Sequence, residues 1–307
     1  GTVDLVPNHF SEVFSHITHR TNDPLVVASA SPPDRHGYFS LGLNADYTSS
    51  FIGRARFFLE VNPRMPRTFG RNQIHCSQIE GWVLNERELD EAQPPVMDAN
   101  DHTIAGFVAD RIPDGACLQT GIGAIPNAIM TALSHHRDLG VHTELLSDGL
   151  VDLVEKGVVN GVRKLHNRTK VVGTFALGTR RLYDFLHENT AVELWSARYV
   201  NDPRLLSRER NFVSINATLT VDFLGQCASE TLNGKYYSSS GGQVDFARGA
   251  MYSEGGQGFI VLHSTAKHGG GSRVGPQLAP GDAVTLSENT LHKGGTGDGV
   301  PEPRAET

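Results

Sequence analysis

Cysteine is scarce in this chain. Cys76, Cys117 and Cys227 are its three cysteines, widely separated and odd in number. That argues against a disulfide framework and suits a reducing compartment, so the cytoplasm is the expected setting. Charge of one sign is never concentrated either. The formal net charge of -7 is spread along 307 residues with no basic block, which argues against sequence-independent nucleic-acid binding. Long apolar runs are missing. Stretches such as Gly258–Leu262 fall far short of the roughly 20 residues that span a bilayer, and no charged-then-apolar leader opens the chain. No membrane association or secretory signal is therefore expected. Nor is a metal: His75-Cys76 stands alone, without the paired spacing of a zinc site.

What is present is a globular composition, 38% hydrophobic and 20% charged, long enough for one large or two ordinary domains. Leu25–Ala30 and Arg56–Val61 are apolar runs of strand length, separated by the turn-rich Ser31–Gly37. The acidic, proline-bearing stretch from Asn85 through Pro94-Pro95 to Asp101 reads as an interdomain connection. Beyond it the pattern runs strand, glycine loop, helix, strand, helix, which predicts an α/β fold with a mainly parallel sheet. From Lys293 onward the chain is rich in glycine and proline and is expected to be weakly structured.

The strongest local unit is Ala116–Gly161. Ala116–Thr120 is a short buried strand, Gly121-Ile122-Gly123-Ala124-Ile125 a turn, and Pro126 suits the first position of a helix. Ile129, Met130 and Leu133 continue that helix, with Gly140 as its terminator. Val141–Leu146 follows as a strand. Ser147 or Asp148 is placed to cap a second helix, along which Leu150, Val151, Val154 and Val158 are spaced. Glu144 thus falls near the carboxyl end of a strand, the edge where open α/β sheets bind ligands. A glycine turn before a helix suits an anion or an oxyanion, yet it also serves as a plain structural turn. A dinucleotide site is a further reading, since an acidic residue lies some 20 positions on, although Pro126 occupies its third glycine position. Glu144 on position alone reads equally as a surface acid, and His142 as an orienting partner or a core-edge histidine. His135 and His136 have no assigned role.

A second small-residue loop, Ser238–Gly242, leads into an amphipathic segment. Its Gly241-Gly242-Gln243 triplet recurs in Gly255-Gly256-Gln257, whereas the whole string Gly241–Ala250 (GGQVDFARGA) is far more specific. Together with Thr120–Pro126, His142–Gly149 (HTELLSDG), Asn216–Gln226 (NATLTVDFLGQ) and Ser264–Lys267, it resembles the acetyl-CoA hydrolase/transferase family. That family includes 4-hydroxybutyrate, butyryl and succinyl CoA-transferases. Val6–Glu12 (VPNHFSE), Ser31–Gly42 and Val61–Arg67 are similar to its first domain, so the resemblance runs along nearly the whole chain.

The resemblance implies two related CoA-transferase-like α/β domains, 1–97 (incomplete) and 98–307, with the active site between them in a homodimer. It implies acyl-CoA:carboxylate CoA transfer, with acyl-CoA and a small carboxylate as the partners. CoA would be a substrate, with no permanently bound cofactor. Glu144 corresponds to the family's nucleophile, which carries CoA as a glutamyl thioester. The CoA contacts carry over to Gly121, Ile122, Gly123, Ala124, Ile125, Pro126, Asn216, Gly241, Gly242, Gln243 and Lys267. Relative to the family the chain lacks an opening stretch and stops near Thr307. Leu291–Gly299 also departs from the usual V-H-Y-V-V-T-E-Y-G, which points to a lost apolar strand. Acyl-CoA hydrolysis through the same nucleophile and a non-catalytic CoA-binding relic are the alternative readings, with an NAD-dependent oxidoreductase third.

Overall fold

The computed structural model describes residues 5–266, 271–287, 290 and 293–296. Its centre is a five-stranded parallel sheet in the spatial order Lys293–Gly295, Gln257–Val261, Phe212–Ala217, Cys117–Thr120, Gly140–Val141. A bridge from His142 to Val172 extends the sheet to Val171–Gly173, then Val192–Leu194 and Phe69–Gly70. Mainly parallel α/β architecture is thus as expected. Cys117–Thr120 is buried at every position, as parallel strands covered on both faces require. Alternate residues serve opposite layers. Leu118, Val213 and Ile215 join Ile104, Ile125 and Ile129 of helices Ala99–Ala109 and Ala124–Ala132. Cys117 and Phe212 join Phe246 and Ala250 of helix Gln243–Tyr252.

A second, smaller core lies in the N-terminal third. Leu25–Ala30, Arg56–Val61 and Gly81–Leu84 pair in parallel, and Phe57, Leu59 and Val61 bury against Phe14, Phe39, Phe51 and Ile74. The opposite face of this sheet carries Leu25, Val27, Phe58 and Val83 in exposed positions.

Several local expectations are corrected. Helix Ala124–Ala132 begins two residues before Pro126, which therefore occupies its third position. Proline is accommodated there because the first turn's N–H groups have no intrahelical partner in any case. Gly140 does not end the helix but opens the next strand, where a Cβ would fall 2.5 Å from Cγ of the buried Lys164. Asp98 and Asp101 are not part of the connection. They form a reciprocal capping box that starts helix Ala99–Ala109. Helix Asp148–Glu155 has Ser147 at its N-cap, but no side chain caps it. It stops before Val158, and Gly157 turns at φ 73° just beyond its end. Lys293–Gly295, expected to be weakly structured, pairs with Phe259–Val261 as a parallel strand. Gly297, Asp298 and Gly299 lie outside the described residues.

Candidate active site

The carboxyl ends of the central strands converge on one cleft. Cys117–Thr120 ends in the Gly121-Ile122-Gly123 turn, whose Gly121 N–H donates to the Ile215 carbonyl at 2.8 Å. Gly123 sits at φ 126°, a conformation that favours glycine. The neighbouring strand expected over Val141–Leu146 is not continuous: Gly140–Val141 and Leu145–Leu146 are separate strands with Glu144 between them. The Glu144 carbonyl accepts from both Thr174 N–H (2.9 Å) and Phe175 N–H (3.1 Å), so the regular ladder is interrupted there. Thr143 Oγ1 bridges to the Thr120 backbone, donating to its carbonyl at 3.1 Å and accepting its N–H at 3.2 Å. The glycine turn and the Glu144 segment are thereby held at one level.

The cleft, open to solvent, spans about 830 Å³ and is lined by residues that include Gly121, Ile122, Glu144, Asn216 and the loop Ser238–Gly242 leading to Gln243. Six of the residues expected to contact CoA are therefore brought to the same cavity as the expected nucleophile: Gly121, Ile122, Asn216, Gly241, Gly242 and Gln243. Gly123 lines an adjoining cavity. Ala124, Ile125 and Pro126 line neither, and Ile125 packs into the main core. Lys267 lies outside the described residues. Asn216 is oriented by a reciprocal amide pair with Gln119, at 3.0 and 3.1 Å.

Glu144 is half-buried, and its Oε2 accepts a 2.6 Å hydrogen bond from Asn201 Nδ2. Burial pushes the carboxyl up to about 7; the Asn201 donor opposes that shift, and the Asp245 charge adds to it. Gly242 presses directly on this pair. A Cβ at that position would lie 2.1 Å from Glu144 Oε2 and 2.3 Å from Asn201 Nδ2. Only glycine lets the loop approach so closely.

Asn201 was not singled out by the sequence. It follows the short helix Ala197–Val200 and is fully buried. His142 is not the partner of Glu144. It is buried, held neutral by desolvation, and bonded through Nε2 to the Val200 carbonyl at 3.1 Å. Two residues apart between strands Gly140–Val141 and Leu145–Leu146, His142 and Glu144 thus grip the consecutive residues Val200 and Asn201.

The N-terminal VPNHFSE string gains a role that its sequence did not reveal. Ser240 Oγ donates to the Asn8 carbonyl at 3.1 Å, and Phe10 N–H to the Gly241 carbonyl at 3.1 Å. Ser11 donates to both Asp245 oxygens. The glycine loop over Glu144 is therefore strapped from outside. Burial raises Asp245 to about 6, and the Ser11 hydrogen bonds oppose that shift.

Among the described residues, Asp98, Asp101 and His263 could hold a cation on geometry alone. Their atoms are already engaged in the helix cap and a 3.0 Å contact of His263 Nε2 with Asp101. His75, considered with Cys76, instead caps the short turn Cys76–Gln78. No helix among the described residues is long and apolar enough to cross a membrane.

The sequence pattern of the acetyl-CoA hydrolase/transferase C-terminal domain matches residues 178–300. A succinyl-CoA:cyclohexane-1-carboxylate CoA transferase of Geobacter metallireducens is 45% identical over 310 residues, covering 100% of this chain and 70% of that protein. A 4-hydroxybutyrate coenzyme A transferase of Clostridium kluyveri is 41% identical over 309 residues, covering 100% of this chain and 72% of that protein. The crystal structure of RipA from Yersinia pestis superposes with a TM-score of 0.95 at 39% identity, over 100% of this chain and 70% of its own. At these identities and coverages the chain belongs to the acetyl-CoA hydrolase/transferase family and is a CoA-transferase.

Proposed function

We propose that the chain performs acyl-CoA:carboxylate CoA transfer through a covalent glutamyl-CoA thioester on Glu144. The observation that carries this reading is the placement of that carboxylate. It is withdrawn from water at the base of the cleft, with one oxygen bonded to Asn201 and the Gly242 backbone against it. Glu144 attacks the acyl-CoA carbonyl and expels CoA thiolate, giving an acyl-glutamyl anhydride. The thiolate then attacks the glutamyl carbonyl and releases the first carboxylate. An incoming carboxylate reverses both steps, so one hard transfer becomes exchanges of similar energy. Burial leaves the carboxylate poorly solvated and poised for attack near neutral pH. Asn201 and the N–H groups of the glycine loops supply donors for the tetrahedral oxyanions, worth about 3–4 kcal/mol per well-placed donor.

On this reading CoA lies against Gly121 to Gly123 of the turn, Asn216, and Gly241 to Gln243, with Lys267 as a further contact, while Ala124, Ile125 and Pro126 act by shaping the helix start behind the turn. A boundary near residues 97 and 98 and a homodimer are proposed from the family resemblance, and a cytoplasmic setting from the few, scattered cysteines. Hydrolysis shares the nucleophile and differs only in the acceptor. The test is incubation with acetyl-, propionyl- and butyryl-CoA, with and without acetate, followed by intact and peptide mass. A hydroxylamine-labile CoA adduct on Glu144 is expected. An adduct elsewhere, or none while CoA binding persists, sinks the reading.

A further inference from the structure

A second cavity of about 660 Å³ adjoins the cleft, and Ile122 and Leu145 line both. Leu177 and the Ala92–Pro95 segment of the acidic, proline-bearing stretch form much of its remaining wall, which also carries the polar Asn127, Ser147 and Asp148. That stretch is pinned rather than loose. Ala92 N–H donates to the Gly178 carbonyl at 3.0 Å, the buried Tyr183 hydroxyl donates to the Asp90 carbonyl at 2.7 Å, and Leu89 and Met97 pack on the main core. Leu177 is fixed in turn by its N–H bond to the Leu146 carbonyl at 3.1 Å. The connection between the halves is thus a wall beside the reactive carboxylate.

The chemistry of the lining selects the occupant. Ile122, Leu145, Leu177, Pro94 and Pro95 offer apolar surface, and the charged group in the lining is Asp148, whose carboxylate accepts from the Thr179 N–H at 2.9 Å. An anionic carboxylate or phosphate would be repelled by that charge. An uncharged hydrocarbon tail meets the apolar side chains that make up most of the lining. The main cleft, by contrast, is lined by Gln119, Asn216 and the serines and glycines of Ser238–Gly242, suited to the amide-rich arm of CoA.

We propose that the second cavity receives the uncharged tail of the acyl group, with Leu177 and the Ala92–Pro95 segment deciding how long a tail the enzyme accepts. The inference rests on the reading above only for placing the thioester carbonyl at Glu144. The acyl tail then runs past Ile122 and Leu145 while the pantetheine arm leaves through the main cleft. Donor and acceptor acids occupy the same cavity in turn, so one pocket sets the selectivity of both half-reactions.

The test uses unreactive thioethers, S-ethyl-, S-butyl- and S-hexyl-CoA, titrated calorimetrically into the wild-type protein and into Leu177→Trp and Leu177→Ala. Wild-type affinity should rise about fourfold per added methylene until the cavity fills. Leu177→Trp should abolish that increment while S-ethyl-CoA binds within about twofold of wild type, and Leu177→Ala should extend it to the longer chain. Thermal melts confirm that both variants fold. An increment absent in the wild type, or unchanged in both variants, overturns the proposal. So does an equal loss for CoA bearing no alkyl group, which would put the pantetheine arm in the cavity. Because binding is read without turnover, failure of the Glu144 reading would leave this outcome standing and separately visible.

Discussion

The Ser11 hydroxyl donates to Asp245 Oδ1 at 3.0 Å across 234 positions of sequence, and the Ser11 N–H donates to the other oxygen at 3.3 Å. Asp245 is buried on helix Gln243–Tyr252, and its charge acts on Glu144. The N-terminal segment thereby holds a second carboxylate near Glu144 and ties down the glycine loop.

Replacing Asp245 with Asn removes a negative charge that raises Glu144. The Glu144 carboxyl should therefore ionise at lower pH, and the acid limb of kcat/KM should move downward from near 7. His9 and Glu12 also face Asp245, so the Asn substitution leaves their own charges in place. A pH–rate profile in which the limb stays put or moves up would show that Asp245 does not tune the nucleophile.

Asn201→Ala acts in the opposite direction. It deletes the donor that lowers the Glu144 carboxyl, so the acid limb should rise. Loss of a well-placed oxyanion donor should also lower kcat on the order of 100-fold while KM for acyl-CoA changes little. Equal loss in kcat and binding, with an unmoved pH limb, would reduce Asn201 to a packing role.

Gly242→Ala tests the close approach of the loop. Its backbone at φ -99° accepts any residue, so the cost is purely steric: the new methyl would overlap both Glu144 Oε2 and Asn201 Nδ2. Displacing the carboxylate by about 1 Å should cost on the order of 100-fold in transfer rate. Overpacking should cost about 1–3 kcal/mol in stability, read by urea unfolding. Transfer near the wild-type rate would mean that the loop stands further off than described.

Stability should also carry the mark of the nucleophile. Glu144 rises from 4.5 to about 7 on folding, so between those values the native state binds the proton that the unfolded chain has released. Its contribution is fully present below pH 4.5 and is lost as pH rises through 7. Glu144→Gln keeps the acceptor for Asn201 and removes the ionisation. At pH 8 this variant should be more stable than wild type by on the order of 2–3 kcal/mol, with the gap closing by pH 5. Urea melts at both pH values decide it, and a variant less stable at pH 8 contradicts the assignment.

Much of the site could be read one residue at a time. The strand, glycine turn and helix of Cys117–Ala132 follow from a buried apolar run, two glycines and a helical stripe. The apolar residues around Glu144 suggested one strand over Val141–Leu146, whereas Glu144 lies in a break between two short ones. Helix boundaries were less legible, because Pro126 and Gly140 each fit more than one local role. Which role they take depends on neighbours such as Lys164 that lie far away in the chain.

The sequence by itself determined the α/β pattern and the order of the glycine loops. Each of these depends on residues within a few positions of one another, where periodicity and turn chemistry operate. Only the tertiary structure decided what surrounds Glu144. Asn201 is 57 positions from Glu144, and Ser11 is 234 from Asp245. A hydrogen bond between distant residues leaves no periodic trace in the chain. Packing the parallel strands side by side is what brings the Glu144 and Asn201 segments, and the loop at Gly242, within reach of a single carboxylate.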